Sequence, residues 1–227
     1  MNTYGNNAKI AGILFLAAIV TGVLSVPSLG IIEESDYLTQ VAANETQLII
    51  GVLLIAAMAF ACAGIAIWLY PALKEHNQAL ALTAVGFRLI EAILFVVGAT
   101  VLLPLLPLSQ AYVAAGAPDT SHFQALGDFI LAFHHSLGSE TGAIAFCLGA
   151  LMYYTLFYQS ELIPRWLSGW GFIAAAMHLV AVFLVIFGSD PFSTPTLVLN
   201  LPILLNELVL AGWLIAKGFN TPQRQAQ

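Results

Sequence analysis

The stretch LIIGVLLIAAMAFACAGIAIWL, residues 48–69, carries no charged side chain and no proline, and its reading decides the fold. A hydrocarbon core of ~30 Å is crossed by about 20 apolar residues in an α-helix. Only a helix or a closed barrel can pair every backbone N–H and C=O where water is absent. Comparable runs recur on both sides of this one. Together they predict spans at about 9–27, 47–71, 79–104, 123–158, 166–188 and 197–217. Breakers separate them: Pro27 with Gly30, Pro71, Pro104 with Pro107, Gly116 with Pro118, Pro164, and Pro191 with Pro195. The fourth run is too long for one crossing, at ~54 Å if helical throughout. Its first part, from His122 to about Phe133, is expected to lie outside the hydrocarbon as an amphipathic extension. The fold class read from this pattern is all-α, a polytopic transmembrane bundle forming a single domain over residues 1–227.

Composition agrees. Hydrophobic residues make up 60% of the 227 and charged residues only 8%, whereas a soluble domain is about a quarter charged. A water-soluble protein of this size would lack the polar surface to cover its core. Six basic against twelve acidic side chains leave a net charge of −6, which excludes the clustered basic face that nucleic acid requires. The expected partner is the lipid bilayer, with a small-molecule or ion ligand as a second. Cys62 and Cys147 both fall inside apolar runs and read as inert packing, not as a disulfide framework.

Basic residues alternate with the loops. Lys9 precedes the first span, Lys74 and Arg165 lie in the second and fourth connections, and Lys217 and Arg224 follow the last span. The remaining connections hold only acids: Glu33, Glu34, Asp36 and Glu45, then Asp119, then Asp190. That is a positive-inside pattern and predicts both termini on the cytoplasmic side. Trp68, Trp166, Trp170 and Trp213 all fall near the same ends, where an interfacial aromatic belt belongs. The first span follows a basic residue as a leader would, but its apolar stretch exceeds the usual 7–15 residues, so a retained helix is expected.

Ionisable groups inside the spans are the informative feature. Arg88 and Glu91 fall in the third span, Glu140 in the fourth, His178 in the fifth, and Asn206 with Glu207 in the sixth. Counted from the cytoplasmic boundary at 1.5 Å per residue, Arg88 and Glu207 lie at ~15 Å, His178 and Glu91 at ~19–20 Å, and Glu140 at ~25 Å. Each costs at least ~2.5 kcal/mol against lipid, so they are expected to point inward and meet. Arg88 and Glu91 are three apart and share a helix face, where they can pair. Asn200 and Glu207 share another face, with Pro202 between them. Three carboxylates face one guanidinium, so a protonated glutamate, a charged histidine or a bound cation must close the count. Arg88, Glu91, Glu140, His178, Asn206 and Glu207 are therefore the candidate ligand-binding residues.

A second polar set, His122, Asp128, His134 and His135, opens the fourth run. Asp128 and His135 are seven apart, so the carboxylate is expected to orient that imidazole. The set lacks zinc-site spacing, and no metal is assigned. Gly138 and Gly142, and the alanine-rich stretch from Ala56 to Gly64, read as close helix–helix contacts. Gly169-Trp170-Gly171-Phe172-Ile173-Ala174 matches a dinucleotide fingerprint as text but has no strand before it. The pair of segments at 89–94 and 205–210 is thin ground for an inverted repeat.

Two passages carry a resemblance: LIPRWLSGWG at 162–171 and NELVLAGWLIAKGF at 206–219, together with the Arg88-x-x-Glu91 pair. They resemble a bacterial family of domains of unknown function, the one numbered 4386. The resemblance implies a multi-pass protein of the bacterial inner or plasma membrane and transfers no catalytic residue or cofactor. From the residues alone, a ligand-, ion- or proton-binding or transport role through the midplane cluster leads. A membrane-embedded lipid-directed or metal-dependent enzyme, and a structural accessory subunit, stand as alternatives.

Overall fold

A computed structural model describes residues 4–118, 122–191 and 193–220. Asp119 and Arg224, two of the residues used above for orientation, lie outside the described residues. The helices are α1 (Gly5–Leu29), α2 (Tyr37–Ala43), α3 (Glu45–Leu73), α4 (Gln78–Thr100), α5 (Leu105–Ala114), α6 (His122–His135), α7 (Ala143–Ser160), α8 (Arg165–Ile186) and α9 (Thr194–Ala216). A π-helical stretch, Ser136–Gly142, joins α6 to α7. Six segments are long and apolar enough to cross a membrane, and each overlaps one of the expected spans.

Local chemistry sets the ends. Asn77 caps α4, its side chain accepting from the Leu80 N–H at 3.0 Å. Pro164 precedes the first residue of α8, where a missing N–H costs nothing. Phe60, Ile93, Ile173 and Val198 each leave more than half their surface on the outer face of the bundle, as lipid contact requires.

The spans form a ring in chain order. Helix α1 packs on α3, α3 on α4, α4 on α7, α7 on α8, α8 on α9, and α9 closes back on α1. This order removes the inverted repeat. A two-fold axis in the membrane plane reverses the sense of a ring, whereas both halves of this chain run round it in the same sense. The closing seam is tight at one end. A Cβ built on Gly12 of α1 would lie 2.8 Å from the Ala211 carbonyl oxygen of α9, so only glycine admits that approach.

The start of α1 and the end of α9 share one end of the bundle. The Tyr4 hydroxyl donates to Glu75 Oε1 at 3.3 Å, and the Asn220 side chain donates to the Glu161 carbonyl at 2.8 Å. A core of Phe15, Ile65, Tyr154, Phe157, Leu167 and Leu210 fills this end. The opposite end is capped by α2, α5 and α6 around a second core that includes Leu38, Val41, Leu48, Leu102, Leu105 and Ile130.

The cap corrects one expectation. Asp128 does not orient His135: it accepts from the Tyr37 hydroxyl at 2.8 Å, while His135 Nε2 lies 3.6 Å from Glu33 Oε1. Tyr37 reaches across because Gly127 lets its ring lie against the α6 backbone. Burial, and then the neighbouring Asp128 carboxylate, push the Tyr37 hydroxyl well above the ordinary tyrosine range. The glycine pair Gly138 and Gly142 does face α4, against Phe95 and Leu94. It belongs, however, to the π-helical stretch and not to a regular α-helix.

Candidate functional site

Arg88 sits on the inner face of α4 with 1% of its surface exposed, and Gly149 of α7 makes the room for it. A Cβ on Gly149 would meet the Arg88 Cγ and Cδ at 3.1 Å. Arg88 Nη1 lies 3.0 Å from Glu91 Oε2, one helical turn on, and the guanidinium carbon stands 4.9 Å from the centre of the Phe146 ring. The ion pair is close but not aligned as a hydrogen bond. Arg88 Nε and Nη1 and Glu91 Oε2 are buried with no hydrogen-bond partner among the described residues. Such atoms normally find partners, and leaving one unmade costs about 1–3 kcal/mol.

Glu91 also meets the Cys62 thiol of α3. From the opposite side of the ring, Glu207 of α9 comes within electrostatic reach of both Arg88 and Glu91. Among the described residues it accepts one long hydrogen bond, from the Tyr153 hydroxyl at 3.4 Å. His178 of α8 has Nδ1 2.7 Å from Asn200 Oδ1 of α9 and its ring edge-on to Phe146. When Nδ1 donates to the Asn200 oxygen and the ring is neutral, Nε2 is left as an acceptor.

These groups border a cavity of about 340 Å³ whose wall draws on all six spans. Glu91, Glu207, His178 and Cys62 supply its polar part, and Ile19, Val23, Phe95 and Ile203 belong to its apolar part. Val23, Val26 and Leu204 at its rim are exposed on the outside of the bundle, so its mouth lies between α1 and α9. A second cavity of about 270 Å³ runs past Thr196 and Asn200 toward the capped end. The two share Phe95, Ala143 and His178 as a partition.

Four of the six expected residues thus come together: Arg88, Glu91, His178 and Glu207. Asn206 is at the right height but faces elsewhere. Its Nδ2 donates to the Leu167 carbonyl at 3.0 Å and its Oδ1 accepts from Tyr154 at 2.5 Å, tying α9 to α8 and α7. Glu140 stands apart. It lies half-buried in the π-helical stretch, nine residues or roughly 13 Å of helix rise before the Gly149 that cradles Arg88. It makes none of the bonds that join the others. Sequence reasoning missed Cys62 and Tyr153. The signal for the tyrosine was the hydroxyl pair Tyr153–Tyr154 in mid-span, since buried phenols seek partners. Among the described residues no three His, Cys, Asp or Glu side chains converge as a metal site would need.

A ring of six apolar helices holding an ion pair at mid-height defines a multi-pass integral membrane protein. The family model described as "Domain of unknown function (DUF4386)" matches residues 10–218, and the chain belongs to that family. No curated protein and no solved structure matches it.

Proposed function

We propose that the protein binds a small ligand in the midplane cavity, with the ligand's polar end against Glu91, Glu207 and His178 and its apolar body against Ile19, Val23, Phe95 and Ile203. One observation carries this reading. The cavity is bordered by a carboxylate, Glu91, that is 1% exposed and whose Oε2 sits in the ion pair with Arg88 without an aligned hydrogen bond among the described residues. Its volume lies at the low end of the ~300–1,000 Å³ typical of small-molecule pockets, which likewise combine apolar walls with a few polar groups. A purely structural cluster would be dry and fully bonded, as Asn206 is. The mouth between α1 and α9 favours entry from the bilayer.

The reading includes a setting: a bacterial plasma membrane, with both termini cytoplasmic, as Lys9, Lys74, Arg165 and Lys217 at one end support. Cysteines placed at Lys74 and Glu34 should then label from opposite sides of intact cells and vesicles. Labelling from one side overturns the topology. Binding is tested by native mass spectrometry of the protein released from detergent. A bound small molecule is expected on the parent and not on Val23→Trp, which obstructs the mouth. Identical spectra without adduct, from several lipid backgrounds, would remove the binding reading.

A further inference from the structure

We infer that the ligand is a cationic amphiphile, a protonated amine carried on a short hydrocarbon body. The inference rests on the binding reading above and adds the ligand's charge. Two carboxylates, Glu91 and Glu207, border the cavity. The permanently charged group at this height is Arg88, which is not part of the cavity wall; it lies behind Glu91, between Gly149 and Phe146. Arg88 therefore balances one carboxylate and is shielded from the ligand. The second carboxylate, Glu207, shares the reach of that one guanidinium with Glu91 and has, among the described residues, a single hydrogen bond, from Tyr153 at 3.4 Å. An anionic ligand would add a further negative charge to this space, whereas a cation supplies the counter-charge that a proton on one glutamate would otherwise have to supply.

Donor and acceptor chemistry points the same way. The cavity offers acceptors: the carboxylate oxygens of Glu91, those of Glu207, and Nε2 of His178, whose Nδ1 is committed to Asn200. Glu91 Oε2 is buried in the ion pair with Arg88 Nη1 at 3.0 Å but makes no aligned hydrogen bond among the described residues, so its acceptor capacity is not filled. A primary ammonium presents three donors and no acceptor. Phe95, also in the wall and without the guanidinium that already covers Phe146, adds an aromatic ring of the kind that attracts a cation. The remaining wall is aliphatic and leads to the lipid-facing rim at Val23, Val26 and Leu204, where a hydrocarbon tail finds its own solvent.

The test uses the full chain in nanodiscs of phosphatidylcholine and an octylamine that bears a diazirine on its chain. A matched diazirine octanol serves as the second probe. Cross-links are mapped by mass spectrometry, with octylamine, octanol and octanoate as competitors. The expected result is amine-probe labelling within residues 19–26 and 203–204, suppressed by octylamine at a concentration about tenfold below that needed with octanol, and not by octanoate. Glu207→Gln should erase the amine's advantage while the alcohol probe still labels. If octanol competes as well as octylamine on the parent protein, the ligand is not selected by charge; the inference fails and the cavity reading stands. If neither probe labels the cavity residues above the exposed helix faces, the cavity reading falls as well. The comparison of competitors on the parent decides even if Glu207→Gln does not fold.

Discussion

Asn206 and Glu207 are neighbours on α9, and both are polar side chains deep in an apolar bundle, yet they do opposite work. Asn206 is fully buried with its amide used on both sides, by the Leu167 carbonyl and the Tyr154 hydroxyl. Glu207 borders a cavity and has one long hydrogen bond from Tyr153. The difference teaches how to sort polar groups inside a membrane protein. Height does not separate a structural group from a candidate site; the count of unmade bonds does. A satisfied amide fixes how three helices sit against each other. A carboxylate with capacity to spare is costly to retain unless something else uses it.

The largest effect should come from the pair that both regions surround. Arg88→Ala strands Glu91 in a low dielectric and is expected to cost roughly 3–5 kcal/mol. Arg88→Met combined with Glu91→Gln should recover most of that in thermal unfolding in detergent. An Arg88→Ala protein as stable as the parent would show that the pair holds nothing. The comparison itself is broken or kept by the two neighbours. Asn206→Leu removes two bonds and leaves the Tyr154 hydroxyl stranded, at about 2–3 kcal/mol. Glu207→Gln should stay within about 1 kcal/mol of the parent and lose amine binding. If their order of stability is reversed, the assignment of roles is reversed too.

A smaller effect sharpens the Arg88 side. Gly149→Ala sets a Cβ 3.1 Å from the Arg88 stem, so overpacking of about 1–2 kcal/mol is expected, relieved when Arg88 is shortened in the same chain. The smallest lies in the cap, remote from the cavity. Tyr37→Phe removes the hydrogen bond to Asp128, worth about 1 kcal/mol. Because the Tyr37 hydroxyl is held above its ordinary value, the folded state keeps its proton more tightly. Its contribution is full below the ordinary tyrosine value of about 10 and declines as pH rises beyond it. The parent should therefore lose stability above that pH more steeply than Tyr37→Phe does, as melting temperatures across an alkaline series will report.

The six spans were legible because hydropathy and helix length are the dominant constraints in a bilayer, and each predicted run overlaps a helix. The short helices α2 and α5 were not. Seven- and ten-residue helices owe their existence to tertiary packing, here Leu38 and Val41 in one cluster with Leu102 and Leu105. The π-helical stretch at SLGSETG was read as a pair of packing glycines. That is where those glycines sit, but their spacing carries no mark of the altered winding. In the site, three-residue spacing was enough to place Arg88 against Glu91, and depth arithmetic brought His178 and Glu207 to their level. The same arithmetic did not separate Asn206, which faces away from the cavity, or Glu140, which lies in the π-helical stretch, from the other four. Rise along a helix fixes height only, and successive side chains point about 100° apart. Which of two neighbours faces inward is decided by packing that one chain's text does not contain.

The ring order has a consequence for how the molecule is made. Five of its six seams join consecutive spans and can form as the chain emerges. The sixth joins Gly12 to Ala211, nearly the full length of the chain apart. Loop-closure entropy grows slowly with length, about 0.6 kcal/mol per doubling, so distance alone does not oppose this seam. Timing does. Until α9 is synthesised, α1 to α8 form an open arc, and the Arg88–Glu91 pair lies on its uncovered inner side. The last span delivers Asn206, Glu207 and the closing contact together, so the bundle becomes a closed ring and acquires its second carboxylate in one step. A chain that stops short of Thr194 would keep its ion pair on the uncovered inner side of an open arc, between the two unpaired edges of α1 and α8.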